Sequence, residues 1–169
     1  PNDFWGIEFG TNQRGSDDIK ELFEERVFDF PKPVSVLKSL INIGSTGSDF
    51  ILDFFAGSSS TAQSVLELNS ENTYNRKFIQ VQLPEKTNTK SDAHRLGYKT
   101  ITEIGKERIQ RVVQKIKEEH PENSKDMDLG FKVFKLDSSN IKSWDGNPEN
   151  LNESLFDAVG NIKTDRTEE

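Results

Sequence analysis

At 169 residues the chain is long enough for one domain with a sizeable core, yet only 32% of it is hydrophobic, against roughly 45–50%, counted with glycine, in ordinary domains. A net charge of −7 excludes a chain-wide nucleic-acid clamp, which needs clustered Lys and Arg, and the absence of cysteine excludes disulfides and thiolate chemistry. No apolar run reaches the length of a membrane span and no signal-peptide pattern is visible, so a cytoplasmic location is the default.

The sparse apolar content implies that part of the chain is flexible, or that some apolar surface lies against material outside it. The first residue is Pro1 and the only methionine is Met127, which points to a fragment. Residues 1–17 read as irregular structure whose Phe4, Trp5, Ile7 and Phe9 must dock on something. Asp17 and Asp18 then suit the cap of a short helix carrying Ile19, Leu22 and Phe23 at i, i+3, i+4 spacing. Pro33 fits the first turn of a second helix, with Val34, Leu37, Leu40 and Ile41 on one face and Gly44 and Gly47 at its end.

A strand is predicted over Asp49–Phe54, followed by a Gly/Ser turn and a helix bearing Ala62, Val65, Leu66 and Leu68 that closes near Asn69. A second strand starts at Arg76 and is stopped by Pro84. Strand, helix and strand within so few residues predict a right-handed βαβ unit with parallel strands. Residues 86–99 read as a long polar loop. Thr100 and Glu103 spell a capping box, opening a helix with Ile101, Ile104, Ile109, Val112, Val113 and Ile116 on one face, which Pro121 stops. Lys106, Glu107, Arg108 and Arg111 read as its solvated side. Phe131–Leu136 suits an edge strand given its lysines. Beyond Trp144 the chain turns polar and acidic, with one amphipathic helix expected around Leu151–Val159 and disorder over 160–169.

Chemistry concentrates at the turn over 53–61, where small residues let a ligand approach the backbone and helix-start amides can face its polar groups. A phosphate-binding loop requires Gly-Lys-Ser/Thr, and residues 57–61 read Gly-Ser-Ser-Ser-Thr. The dinucleotide fingerprint needs three glycines, and only Gly57 is present. A serine nucleophile needs a histidine base, and His94 and His120 stand in polar surroundings. Two histidines without cysteines also argue against structural zinc. A nucleoside or methyl-donor cofactor is the better candidate.

Three ordered blocks carry a resemblance. Phe-Pro-Lys-Pro-Val-x-Val-Leu-Lys-x-Leu-Ile at 30–41, Ile-Leu-Asp-Phe-Phe-Ala-Gly-Ser-x-Ser-Thr-Ala at 51–62 and Arg-Lys-Phe-Ile-x-Val-Gln-Leu-Pro-Glu at 76–85 are similar to the amino-group DNA methyltransferases. With Asp128–Asn140 and Trp144 added, they resemble more narrowly the modification (Mod) subunits of type III restriction–modification systems. The match spans roughly residues 1–145, leaving 146–169 as an acidic tail.

The resemblance implies an α/β, Rossmann-like fold, partial and mainly parallel, and methyl transfer from S-adenosyl-L-methionine to adenine N6. It implies cofactor contacts from Lys32, Pro33, Asp53, Phe54, Phe55, Ala56, Gly57, Ser58, Thr61, Gln82 and Leu83. Of these, Phe55–Ser58 would line the methionine and adenosyl side, with backbone amides serving the carboxylate. Lys32 and Pro33 would close the pocket, and Gln82 and Leu83 would meet ribose and adenine.

Two positions depart from the family pattern. Ser59 stands where the turn usually has its second glycine and fits if its φ stays negative. Gln82 stands where an acidic residue usually holds the ribose. The family's Asp/Asn-Pro-Pro-Tyr/Phe motif, which holds the flipped base, has no counterpart here, because the chain contains no Pro-Pro pair. The expectation is that this motif lies upstream and that the chain alone does not methylate. Implied partners are DNA, a second Mod copy and a restriction (Res) subunit. An assembly module of such a complex, or a decayed remnant, are the other readings.

Overall fold

The structure is a computed structural model that describes residues 10–72, 74–139, 141 and 163. The chain divides into two compact units, Pro1–Gly130 and Phe131–Glu169. Phe4, Trp5, Ile7, Phe9, Trp144 and the expected helix over 151–159 lie outside the described residues, as does most of the expected acidic tail.

The first unit runs α1 (Asn12–Phe23), α2 (Val34–Gly44), β1 (Phe50–Asp53), α3 (Ser60–Asn72), β2 (Lys77–Gln80), α4 (Asp92–Arg95) and α5 (Ile101–Glu119), with a 3-10 turn at Asn123–Lys125. β1 and β2 pair in parallel, Phe50 opposite Lys77 and Asp53 opposite Gln80. The expected strand–helix–strand unit is present, and the architecture is α/β with a small parallel sheet. No helix among the described residues is long and apolar enough to cross a membrane.

One sheet face is covered. Ile51 and Phe78 pack on Ile41 of α2 and on Val65 and Leu68 of α3. The other carries Phe50, Leu52, Phe54, Ile79 and Val81, all exposed. A second cluster joins Ile19 and Phe23 of α1, Val27, Ala93 of α4 and Ile104 of α5, with Tyr98 edge-on to Phe23 at 5.9 Å. A buried polar latch ties the start of β2 to α3 and to the end of α2. The Asn69 side chain accepts from Arg76 N at 3.1 Å and donates to Arg76 O at 2.8 Å, while Arg76 Nε donates to Ser45 Oγ at 2.9 Å.

Four expectations are corrected. α1 begins at Asn12, because the Thr11 hydroxyl accepts from Arg14 N and caps it there; Asp18 sits inside the helix, buried. Pro33 is the N-cap of α2, one residue before its first turn, and Leu40 is exposed. The 86–99 segment is no featureless loop. Lys86 bridges Thr100, and Ser91 caps the short α4 by accepting from His94 N. Phe131–Leu136 forms no strand. Its alternation is β-competent, but a strand exists only in a ladder, and these residues join none among the described residues; Phe134 and Leu136 are exposed.

At the start of α5, the Glu103 carboxylate accepts from Thr100 N at 3.1 Å, closing that half of the expected capping box. Glu103→Ala is expected to lower stability by about 1 kcal/mol in urea unfolding; an unchanged midpoint would remove the cap from the account.

Candidate cofactor site

Parallel pairing brings the carboxyl ends of β1 and β2 to one edge of the sheet, where ligands of α/β proteins bind. β1 ends on Asp53, whose two carboxylate oxygens both brace the turn that follows. Oδ1 accepts from Phe55 N at 3.0 Å, and Oδ2 accepts from the Thr61 hydroxyl at 2.6 Å. Ala56 N donates to Val81 O at 3.1 Å and Ser59 N to Ala56 O at 2.7 Å. Gly57 N donates to Gln82 Oε1 at 2.7 Å, linking the two strand ends. The Gln82 amide group in turn reaches Leu83 O at 3.2 Å. Four amides of the turn are therefore engaged within the protein itself.

The turn is left-handed twice, with φ +52° at Gly57 and +61° at Ser59. The second value overturns the expectation that Ser59 keeps a negative φ. Its surroundings over-determine the conformation: Ser58, Ser59 and Ser60 are all buried beneath α5. In contrast, Phe55 is 90% exposed and Leu83 68% exposed, so each strand end presents an apolar side chain outward.

The structure thus ties Asp53, Phe55, Ala56, Gly57, Thr61 and Gln82 into one hydrogen-bonded unit. Phe54 and Leu83 are exposed neighbours of it. Ser58 faces inward. Lys32 is exposed and makes no ion pair among the described residues. Pro33 is buried beside Gly10, and the Pro31–Lys32 backbone lies against Gly15 of α1. The preceding segment does approach the turn: a Cβ added at Gly57 would lie 3.5 Å from Phe28 Cζ.

Helix α5 supplies the residue missed above. Arg108 is 0% exposed, the reverse of the solvated position expected for it. Its Nη1 donates to Ser60 Oγ at 2.7 Å and Ser58 Oγ at 2.8 Å, and its Nε to Gln63 Oε1 at 2.6 Å. Burial pushes its pKa down to about 10, while Asp18 and Glu67 act in the opposite direction. A signal was available, since Arg108 lies four residues from both Ile104 and Val112 and so falls in the apolar stripe. Arg111 is also not simply solvated: its guanidinium lies 4.7 Å from the Phe23 ring centroid, and its Nη1 donates to Leu22 O at 2.8 Å.

A separate groove of about 440 Å³ is lined by α2 and α3 together with Arg14, Asp18 and Lys115, and touches none of the turn residues. Its charges are all paired, Arg14 with Asp18 and Lys38 with Glu67 and Glu71 within the groove, and Lys115 with Glu21 and Glu119 beyond it. It offers no unbalanced charge to a ligand.

Comparison with known proteins converges on one family. The DNA methylase family matches residues 1–118. The chain is 40% identical to the Mod subunit of the type III restriction–modification enzyme StyLTI of Salmonella typhimurium over 126 residues, 75% of this chain and 19% of that protein. It is 40% identical to the EcoP15I Mod subunit of Escherichia coli over 72% of this chain and 18% of that protein. It is 32% identical to the type II methyltransferase M.KpnI of Klebsiella pneumoniae over 64% and 26% of the two chains. The chain therefore spans about a fifth of the length of the type III relatives it matches. With the turn, its parallel neighbour and the matched span in agreement, this chain belongs to the DNA methylase family.

Proposed function

We propose that this chain supplies the S-adenosylmethionine-binding part of a DNA adenine-N6 methyltransferase of a type III restriction–modification system, built on a Rossmann-like sheet. The observation that carries the reading is the link from Gly57 N to Gln82 Oε1, which joins a left-handed Gly/Ser turn to the end of its parallel neighbour. The residues suit such a ligand. Phe55 and Leu83 offer apolar surface at the two strand ends, and the position of a Cβ at Gly57 is already in van der Waals contact with the Phe28 ring, at 3.5 Å.

When bound, the cofactor supplies an electrophilic methyl group. Phe55, Ala56 and Leu83 would hold the adenosyl portion by apolar contact, and Gln82 would stand nearest the ribose. Asp53 and Thr61 keep the turn in shape from behind, while Lys32 and Pro33 would close the pocket ahead of α2. The chain carries no Asp/Asn-Pro-Pro-aromatic sequence, so it contributes to binding the methyl donor rather than to holding the base, and on its own it would not methylate. In the whole protein this reading makes DNA the substrate, a second Mod copy and a Res subunit the partners, and the cytoplasm the location.

Calorimetric titration of the full chain with S-adenosylmethionine tests the reading. Saturable one-site binding is expected, and Gly57→Val should weaken it at least tenfold, because a β-branched side chain at φ +52° costs roughly 1–2 kcal/mol and projects toward the ligand. Absence of binding by the unaltered chain, with its circular dichroism spectrum intact, would count against it.

A second reading, a non-catalytic assembly module, is favoured by the exposed sheet face of Phe50, Leu52, Phe54, Ile79 and Val81. Purely parallel sheets are ordinarily covered on both faces. Association in sedimentation that does not change with added cofactor would favour this reading over the first.

A further inference from the structure

We propose that α5 is the back wall of the cofactor turn and that its Gly105 and Arg108 are positioning residues for that turn; the inference rests on the cofactor reading given above. Ser59 sits at φ +61°, a region unfavourable to any residue with a Cβ, and its side chain is buried. Room for that side chain exists because residue 105 has none. A Cβ there would lie 2.5 Å from Ser59 Oγ, and 3.6 Å from Gly57 O. Glycine inside a helix is otherwise unfavourable, so its position one turn before Arg108 has a specific use.

Arg108 completes the brace. The two serines on either side of Ser59 share one guanidinium nitrogen, Nη1, which also lies 3.4 Å from Ser58 O. Nε holds Gln63 on the first turns of α3. Every acceptor is neutral, so the buried cation forms no direct ion pair, and its Nη2 has no partner among the described residues. Burying a charge on these terms is costly for stability alone. What the guanidinium provides that an apolar side chain would not is a rigid fan of donors reaching three points of the turn and helix at once. The conformation of 57–60, and hence the backbone offered to a ligand, depends on α5.

The test uses four variants of the full chain: Arg108→Met, Arg108→Lys, Gly105→Ala and the double variant Gly105→Ala with Ser59→Gly. Three readouts are taken: S-adenosylmethionine affinity by calorimetry, hydrogen exchange of the amides at 57–60, and the urea midpoint. Arg108→Met is expected to weaken the cofactor about tenfold and speed turn exchange by a similar factor, with little change in midpoint, since a buried cation is removed along with its bonds. Arg108→Lys keeps the charge but loses the fan, and should recover only part of the affinity. Gly105→Ala should weaken affinity and loosen the turn, and adding Ser59→Gly should restore both to within about twofold, because it removes the hydroxyl that the new methyl meets. A merely structural role for α5 predicts affinity losses only in proportion to midpoint losses, with exchange at 57–60 rising no more than that of the rest of the chain. Wild-type affinity and exchange in Arg108→Met or Gly105→Ala, or failure of the double variant to recover, overturns the proposal. If the unaltered chain binds no cofactor while exchange responds as described, the cofactor reading falls and the bracing of the turn by α5 stands.

Discussion

Gly15→Ala is expected to destabilise the protein by about 3 kcal/mol, although alanine is the better helix former by roughly 1 kcal/mol. Gly15 lies within α1, buried where the helix crosses the chain entering α2. An added Cβ would stand 2.1 Å from Pro31 O and 2.9 Å from Pro31 C. These are backbone atoms between two prolines and cannot swing aside as a long side chain could. Either α1 retreats and opens the cluster around Ile19 and Phe23, or residues 31–33 shift and carry Lys32 and Pro33 with them. Urea unfolding measures the first and cofactor titration the second. Gly44→Ala is the control. It sits at the exposed end of α2 with nothing within 4 Å of an added Cβ, and should leave stability unchanged or slightly raised. Equal behaviour of the two variants would refute the close crossing.

Asp18→Ala should cost about 3 kcal/mol as well, by a different route. The N-cap of α2 is Pro33, which has no side-chain acceptor, so the first amide of the helix needs one from elsewhere. Asp18 of α1 provides it: its Oδ2 accepts from Val34 N at 2.9 Å in a buried setting, while Oδ1 pairs with Arg14 at 3.0 Å. Truncation loses the cap and leaves a buried N–H unpaired. It also removes one of the two carboxylates whose field opposes the desolvation of Arg108. Asp18→Asn keeps an acceptor for Val34 N and gives up the pairing with the largely exposed Arg14, which is worth little; a loss of about 1 kcal/mol is expected. Urea midpoints of the two variants check the order. A loss for Asp18→Asn as large as for Asp18→Ala would show that charge, rather than the cap, dominates.

Much of the candidate site was legible because its parts are local. Asp53, Gly57 and Thr61 lie within nine residues, and a strand running through small residues into a helix has a chemical signature that does not depend on distant partners. The same holds for α2, α3 and α5, whose apolar spacing matches the helical repeat, and for the parallel pairing of β1 with β2, which a strand–helix–strand order imposes. The blocks at 30–41, 51–62 and 76–85 also sufficed for the family, as the match over residues 1–118 bears out.

Other features depend on partners far apart in the chain. A carboxylate at position 18 looks like a local helix cap, and only the crossing of α1 over the entry to α2 makes it the cap of Val34, sixteen residues on. An arginine at 108 looks solvated beside Lys106 and Glu107 until the turn and α3 pack on α5 and present two hydroxyls and an amide oxygen to it. Ser59 adopts a left-handed φ because Gly105 leaves space for it. Phe131–Leu136 has the alternation of a strand and forms none, since strand formation requires a neighbour that alternation alone does not supply. By itself the sequence determined the periodic elements, the turn and the family, all of which are written in neighbouring residues. The tertiary structure alone decided which buried polar group meets which, because that depends on how helices cross, and a crossing brings together residues that have no relation along the chain.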